Sequence, residues 1–246
     1  MAEDKKTRKM IHEILPVGML QCNCSVVADP ETREAIVIDP GDEVDRILEV
    51  LARHKLSVRA ILNTHAHIDH VGGLRKMREA TGAPVLMHAD DLELYRALDR
   101  QAEWIGVRAP ASVEVDSLLR EGDAVRWGPY QASVLHTPGH TRGSVCLYLP
   151  AAAFETQTKP EIVQPGTGSS RRETQTAEPG KLFAGDTLFA GSIGRTDLWG
   201  GSFEEIMRSL QTKLLALPDA TIVFPGHGPA TTIGQERETN PFLHRS

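Results

Sequence analysis

The chain is 246 residues long, 40% hydrophobic and 24% charged, with a formal net charge of −6. That length holds one domain or a compact pair with a proper core, and the composition excludes extended disorder as the general state. The acidic balance argues against a nucleic-acid backbone as partner, and no run approaches the roughly 18 apolar residues of a membrane span.

Residues 1–9 are charged and lack the apolar stretch of a secretory signal. The three cysteines, Cys22, Cys24 and Cys146, are an odd number and widely placed, which speaks for a reducing, cytoplasmic setting and against a disulfide scaffold. Cys22 and Cys24 lie too close for an ordinary zinc pair, so each cysteine reads first as a small buried hydrophobe. Short alternating segments over 10–15, 24–27 and 35–38, parted by turn residues, predict antiparallel strands. Helical spacing over 44–51 is followed by an apolar strand over 58–62, then helix-like stretches at 73–80 and 90–98 with a strand at 84–87 between them.

The second half repeats the scheme loosely. Strands are predicted at 124–126, 132–136, 145–149 and 182–184, and a helix over 203–215 leads into a strand at 221–224. Strands first, then helix and strand alternating, twice over, predict an α/β protein of two packed sheets with helices outside. Residues 154–180 depart from this pattern. They are rich in Thr, Gln, Glu, Pro, Gly and Ser, the composition of an exposed loop or long hairpin inserted into a single domain spanning 1–246.

The chemistry concentrates in His65-Ala66-His67-Ile68-Asp69-His70, just past the strand at 58–62 and before Val71-Gly72-Gly73. In an extended turn His65, His67 and Asp69 project to one side, and His70 enters from the start of a helix. Neutral imidazoles with a carboxylate suit Zn²⁺, and also Fe or Mn. Three further residues share the same local context. His140 follows Thr137-Pro138-Gly139, Asp186 follows Ala184-Gly185, and His227 follows Pro225-Gly226, each past a predicted strand and a glycine that lets backbone approach closely. Alone, each reads as a loop histidine or a turn cap. Together with the first cluster they make seven ligands, enough for two metals sharing one carboxylate.

The strings Thr64-His65-Ala66-His67-Ile68-Asp69-His70, Thr137-Pro138-Gly139-His140, Gly185-Asp186-Thr187 and Pro225-Gly226-His227-Gly228 resemble the metallo-β-lactamase superfamily, from about Cys22 to Pro241. The resemblance implies its four-layer αββα sandwich. Within it, the chain is most similar to small, single-domain members of the glyoxalase II (hydroxyacylglutathione hydrolase) branch. The carriers are Gly185-Asp186-Thr187-Leu188-Phe189, Gly194-Arg195-Thr196-Asp197, Thr231-Thr232-Ile233-Gly234 and Asn240-Pro241-Phe242. By that resemblance His65, His67 and His140 hold one divalent ion, Asp69, His70 and His227 the other, and Asp186 bridges them. Zinc is the first expectation, with iron or manganese as alternatives.

The implied activity is hydrolysis of a thioester such as S-lactoylglutathione or a related hydroxyacyl thioester. The nucleophile is a hydroxide between the metals, formed because paired metals lower the pKa of water to about 7, and Asp69 and Asp186 are the catalytic carboxylates. The substrate is a small molecule, with neither nucleic acid nor membrane as partner. Two departures matter. True metallo-β-lactamases usually carry cysteine or serine at or beside the position of Asp186, and full-length glyoxalase II adds a helical glutathione-gripping domain, whereas 19 residues follow His227.

An alternative is the persulfide dioxygenase, which shares the scaffold and the Gly-Arg-Thr-Asp string and uses one iron held by two histidines and an aspartate; His65, His140 and Asp186 match that set. Nuclease relatives add a domain and basic surfaces that this chain does not show. Arg142 and Arg195 are candidates for an anionic substrate end, since guanidinium pairs bidentately with carboxylate. Asp39 reads equally as support for the ligands or as a turn residue before Pro40. Trp104 and Trp127 read as packing residues.

Overall fold

The computed structural model describes residues 9–151 and 178–244. Three strands, β1 (Ile11–Val17), β2 (Cys22–Ala28) and β3 (Glu34–Ile38), pair antiparallel as expected. In α1 (Val44–His54) the buried residues Val44, Ile47, Val50 and Leu51 fall on one helical face, and Lys55 ends the helix in the left-handed conformation. That face packs on the sheet as the chain crosses to β4 (Ser57–Leu62), which is parallel to β3. Short helices α2 (Ile68–Val71) and α3 (Leu74–Thr81) then lead to β5 (Val85–His88).

The helix expected over 90–98 is instead a 3₁₀ turn at Ala89–Asp91 followed by α4 (Leu92–Arg96), and α5 (Leu98–Ile105) was not foreseen. The reason is tertiary: Asp91 accepts hydrogen bonds from residues of two other loops and so caps no regular helix. The first sheet ends with β6 (Ser117–Leu119), in the order β1-β2-β3-β4-β5-β6, parallel from β3 onward.

The second sheet begins with β7 (Ala124–Trp127), β8 (Tyr130–His136) and β9 (Val145–Leu149), and continues with β10 (Lys181–Gly185). Most of the expected insertion at 154–180 lies outside the described residues. Its flanks are neighbours, with Leu149 opposite Lys181 on antiparallel strands. A small hairpin of β11 (Leu188–Phe189) and β12 (Ser192–Ile193) precedes α6 (Phe203–Ser209). The helix expected over 203–215 widens after Ser209 into a π turn at Leu210–Leu214. The chain closes with β13 (Ile222–Pro225), β14 (Thr231–Thr232) and α7 (Ile233–Thr239). This sheet runs β14-β13-β10-β9-β8-β7, with β10 and β13 parallel and the other pairs antiparallel.

Side-chain alternation along the strands produces the layers. On β3, Ile36 and Ile38 join one buried cluster while Val37 joins another; on β10, Phe183 faces one way and Leu182 and Ala184 the other. One cluster, with Leu62, Trp127, Val134 and Leu147, fills the space between the two sheets. A second places Ile47, Leu74 and Met77 against the outer face of the first sheet, and a third places Ile206, Leu210 and Ile233 against the outer face of the second. Three interlayer spaces require four layers, so the αββα sandwich is the observed architecture. Among the described residues no helix is long and apolar enough to cross a membrane. All three cysteines are free and buried, as small hydrophobes would be.

Candidate metal centre

The carboxyl ends of β3, β4, β5, β8, β10 and β13 supply the loops that carry Asp39, the 64–70 segment, Asp91, His140, Asp186 and His227. The ligating atoms of His65, His67 and His140 lie within 4.8 Å of one another, as do those of His65, His70 and Asp186. His67 Nδ1 faces His65 Nε2 at 3.1 Å and His140 Nε2 at 2.9 Å. On the other side, His70 Nε2 and His227 Nε2 are 3.3 Å apart, and Asp69 Oδ2 lies 3.1 Å from His227 Nε2. Asp186 sits between the two groups, with Oδ1 3.5 Å from His70 Nε2 and Oδ2 3.5 Å from His140 Nε2. All seven residues singled out from the sequence therefore converge.

Hydrogen bonds behind the site decide which nitrogen each ring presents. Thr64 Oγ1 donates to Asp39 Oδ2 at 2.7 Å, so at 3.1 Å it accepts from His65 Nδ1. His140 Nδ1 donates to the Arg195 carbonyl at 2.8 Å, and His227 Nδ1 to the Leu20 carbonyl at 3.0 Å. Asp39 Oδ2 lies 3.0 Å from His70 Nδ1, and Asp39 Oδ1 accepts the Thr64 amide at 2.7 Å. His65, His140 and His227 thus turn a lone pair on Nε2 into the centre, while His70 is paired with the Asp39 carboxylate. Burial, and then the neighbouring histidines, push His65 below the ordinary imidazole range and bring His67 down to about 3. Burial opposes ionisation of Asp69, but His70 and His227 outweigh it and hold the carboxyl below its usual range.

A divalent cation fits this arrangement. Lone-pair nitrogens facing one another cannot hydrogen-bond to each other, and Asp186 Oδ1 is buried with no hydrogen-bond partner; orphaned acceptors of this kind mark a place for a cation. Imidazole and carboxylate donors suit zinc, iron or manganese alike. Glycines make the packing attainable. A Cβ on Gly226 would strike Asp186 Oδ1 and come within 2.7 Å of His70 Cε1, and one on Gly194 would strike the Asp186 carbonyl. Cys22 lies within reach of His70 and His227, but burial pushes its thiol up to about 12, and a neutral thiol is a poor ligand.

A family model described as the metallo-beta-lactamase superfamily matches residues 17–153 and 160–227. The chain belongs to the metallo-β-lactamase superfamily. It is 34% identical to "Hydroxyacylglutathione hydrolase GloC" of Haemophilus influenzae, over 94% of this chain and 97% of that one. Among solved structures, "BLEG-1 B3 metallo-beta-lactamase" superposes with a TM-score of 0.78 at 35% identity, covering 96% of this chain and all of its own. "TTHA1623 in a di-iron-bound form" gives 0.72 at 38% identity, covering 94% and 100%. ETHE1 from Myxococcus xanthus gives 0.72 at 28% identity, covering 96% and 86%.

A cavity of about 720 Å³ opens over the centre, reaching His67, Asp69, His140, Asp186 and His227. Leu20, Ile68, Leu94, Ile105, Phe189 and Leu198 form apolar walls, and the exposed side chains of Arg100, Trp104, Arg195, Asp197 and Trp199 form its rim. Trp104 is 69% exposed there and is no packing residue, whereas Trp127 is fully buried as expected. Arg195 lies on the rim, its Nε and Nη2 both donating to Asp197 at 3.0 and 2.8 Å. Arg142 is not brought into this cavity; it lines a separate small one with Asp90, Glu93 and Thr141.

Asp91, Gln101 and Arg100 were missed from the sequence. Asp91 accepts from the Ala66 amide at 2.8 Å, Thr141 Oγ1 at 2.9 Å and the Gly143 amide at 2.7 Å, and so ties the first histidine loop to the His140 loop. Gln101 accepts from the Ile68 amide at 3.0 Å and donates to the Ala66 carbonyl at 3.1 Å. Asp91 had a signal, being a carboxylate just past an apolar strand, in the same context as Asp39 and Asp186. Gln101 and Arg100 had none, because a polar residue on a helix face is ordinary.

Proposed function

We propose that the chain is a binuclear metallo-hydrolase that cleaves a small thioester, S-lactoylglutathione or a related hydroxyacyl thioester. The observation that carries this reading is the complete second donor set, Asp69, His70 and His227, beside the first and joined to it by Asp186, whose buried Oδ1 has no hydrogen-bond partner. His65, His67 and His140 would hold one ion, Asp69, His70 and His227 the other, and Asp186 both, within a single domain. When bound, such a pair supplies Lewis acidity, which acidifies water towards neutral pH and polarises an acyl carbonyl.

The chain's own residues do the rest. Asp39, through Thr64 and His70, and Asp91, through Ala66 and Thr141, fix the ligand rings before substrate arrives, which lowers the cost of reorganisation. Asp69, whose Oδ2 lies 3.1 Å from His227 Nε2 beside the second donor set, would orient the attacking water and accept its hydrogen bond. The apolar walls above the centre limit the access of bulk water to it. The likeness to the hydroxyacylglutathione hydrolase of H. influenzae supports the thioester.

A second reading, a mononuclear iron dioxygenase acting on persulfides, is favoured by the likeness to ETHE1 and would use His65, His140 and Asp186. One experiment separates them. Elemental analysis of the purified chain is expected to give close to two metal ions, and the zinc form is expected to hydrolyse S-lactoylglutathione anaerobically without consuming oxygen on glutathione persulfide. One iron per chain with oxygen uptake, and no thioester cleavage by the zinc form, would reverse the ranking.

A further inference from the structure

The cavity rim carries two guanidinium groups in opposite states. Arg195, the one that a sequence reading favours as an anion binder, is already neutralised by a two-point contact with Asp197, which holds the Asp197 carboxyl down to about 2. The guanidinium of Arg100, from α5, has no hydrogen bond or ion pair among the described residues. Its guanidinium carbon lies 5.8 Å from the centre of the Trp199 ring. A guanidinium over an indole spends its face on the ring and leaves its N–H edges free for a bidentate acceptor.

We propose that Arg100, laid over Trp199 at the cavity mouth, selects thioesters whose thiol part ends in a carboxylate; this rests on the hydrolase reading of the centre. Helix α5 is pinned next door by Gln101, which bonds the Ala66 carbonyl and the Ile68 amide on either side of His67. Arg100 therefore stands at a fixed place relative to the ligands, and Trp104, one turn further along α5, extends the same exposed face. Between the rim and the centre the walls are apolar. The ligand that matches has an acyl sulfur at the floor, a mostly apolar stretch, and an anion at the mouth. The charge is needed at the mouth because Arg195, the other rim cation, is taken up by Asp197, and the chain as a whole has a net charge of −6.

The test uses a matched pair, S-lactoyl-6-mercaptohexanoate and its methyl ester, which differ only in the charge of the tail. The wild-type protein is expected to prefer the acid in kcat/KM, and R100E is expected to cut the acid-to-ester ratio by about ten- to a hundredfold, the size of one charge-assisted contact. R100K should retain part of the ratio, because charge survives while the planar stacking is lost, and R195E should move it less than R100E. A ratio unchanged in R100E, or one that collapses in R195E alone, would overturn the proposal. Should neither thioester be cleaved, the hydrolase reading fails on its own. Arg100 is then judged by tryptophan quenching with the uncleavable thioether 6-(propylthio)hexanoate and its methyl ester: tighter binding of the acid, lost in R100E, supports the proposal, and equal binding of the two overturns it.

Discussion

The segment from Thr64 to His70 and the three loops carrying His140, Asp186 and His227 serve one centre but are held in different ways. In the first, a strand end, an extended turn and the start of α2 place four donors within six residues, and Asp39 from the adjacent β3 fixes Thr64 and His70 inside the same sheet. In the second, each donor comes from a separate strand, and close glycines at 139, 185, 194 and 226 let the loops meet. Among the links across the sheets, Asp91 of the first half bonds Thr141 and Gly143 of the second, beside the Val145 amide on the Thr64 carbonyl and Asn23 on the Pro225 and Gly228 carbonyls. Local geometry suffices for a cluster of ligands drawn from one strand end, whereas the His140 loop is held to the first sheet by a buried side chain that accepts three hydrogen bonds.

The sharpest break of this comparison is at Asp186, the donor that touches both groups. Asp186→Ala is expected to lower kcat/KM on the thioester by about three powers of ten, on the order of 4 kcal/mol in barrier, and His227→Ala by markedly less. Equal losses with full metal content in both would remove the bridging role. Gly226→Ala should come next, since the new methyl meets Asp186 and His70. Elemental analysis should show metal lost from the purified variant, and overpacking should cost roughly 1–3 kcal/mol in denaturant unfolding.

The two buried carboxylates behind the ligands should then part company. Asp91→Ala leaves the Ala66 and Gly143 amides and the Thr141 hydroxyl without their acceptor and should cost roughly 2–4 kcal/mol of stability. Asp39→Asn keeps most of its volume and should instead weaken metal binding about 10- to 100-fold, read by competition with a chromophoric chelator. If Asp39→Asn destabilised the fold more than Asp91→Ala, the assignment of the cross-sheet anchor would be mistaken.

The smallest effect lies away from the centre. His12 packs edge-on against Phe183 and Phe224 of the other sheet, and burial, followed by Lys181, pushes its pKa down to about 4. Its folded pKa is below its unfolded value of 6.5, so the unfolded chain takes up the proton first, and stability is lost as pH falls from 6.5 towards about 4. The Tm advantage of wild type over His12→Gln should shrink across that window; an advantage that grew with acid would reverse the sign.

From the amino-acid order alone came the four-residue ligand cluster, the three later donors, two packed sheets with helices outside and their strands, except the short edge strands β6 and β14. Each rests on information within a few residues: alternation at period two, Gly before a polar residue at a strand end, and His-x-His-x-Asp-His itself. The broken helix at 89–96, the π turn after Ser209, the clamp of Asp91 and the anchoring of α5 by Gln101 are settled by residues 25 to 52 positions away or by packing between layers. The rim was decided in the same way. Asp197 stands two residues from Arg195 in the chain, whereas only the fold brings Trp199 to Arg100, because a side chain's free edges depend on which neighbours the tertiary structure delivers.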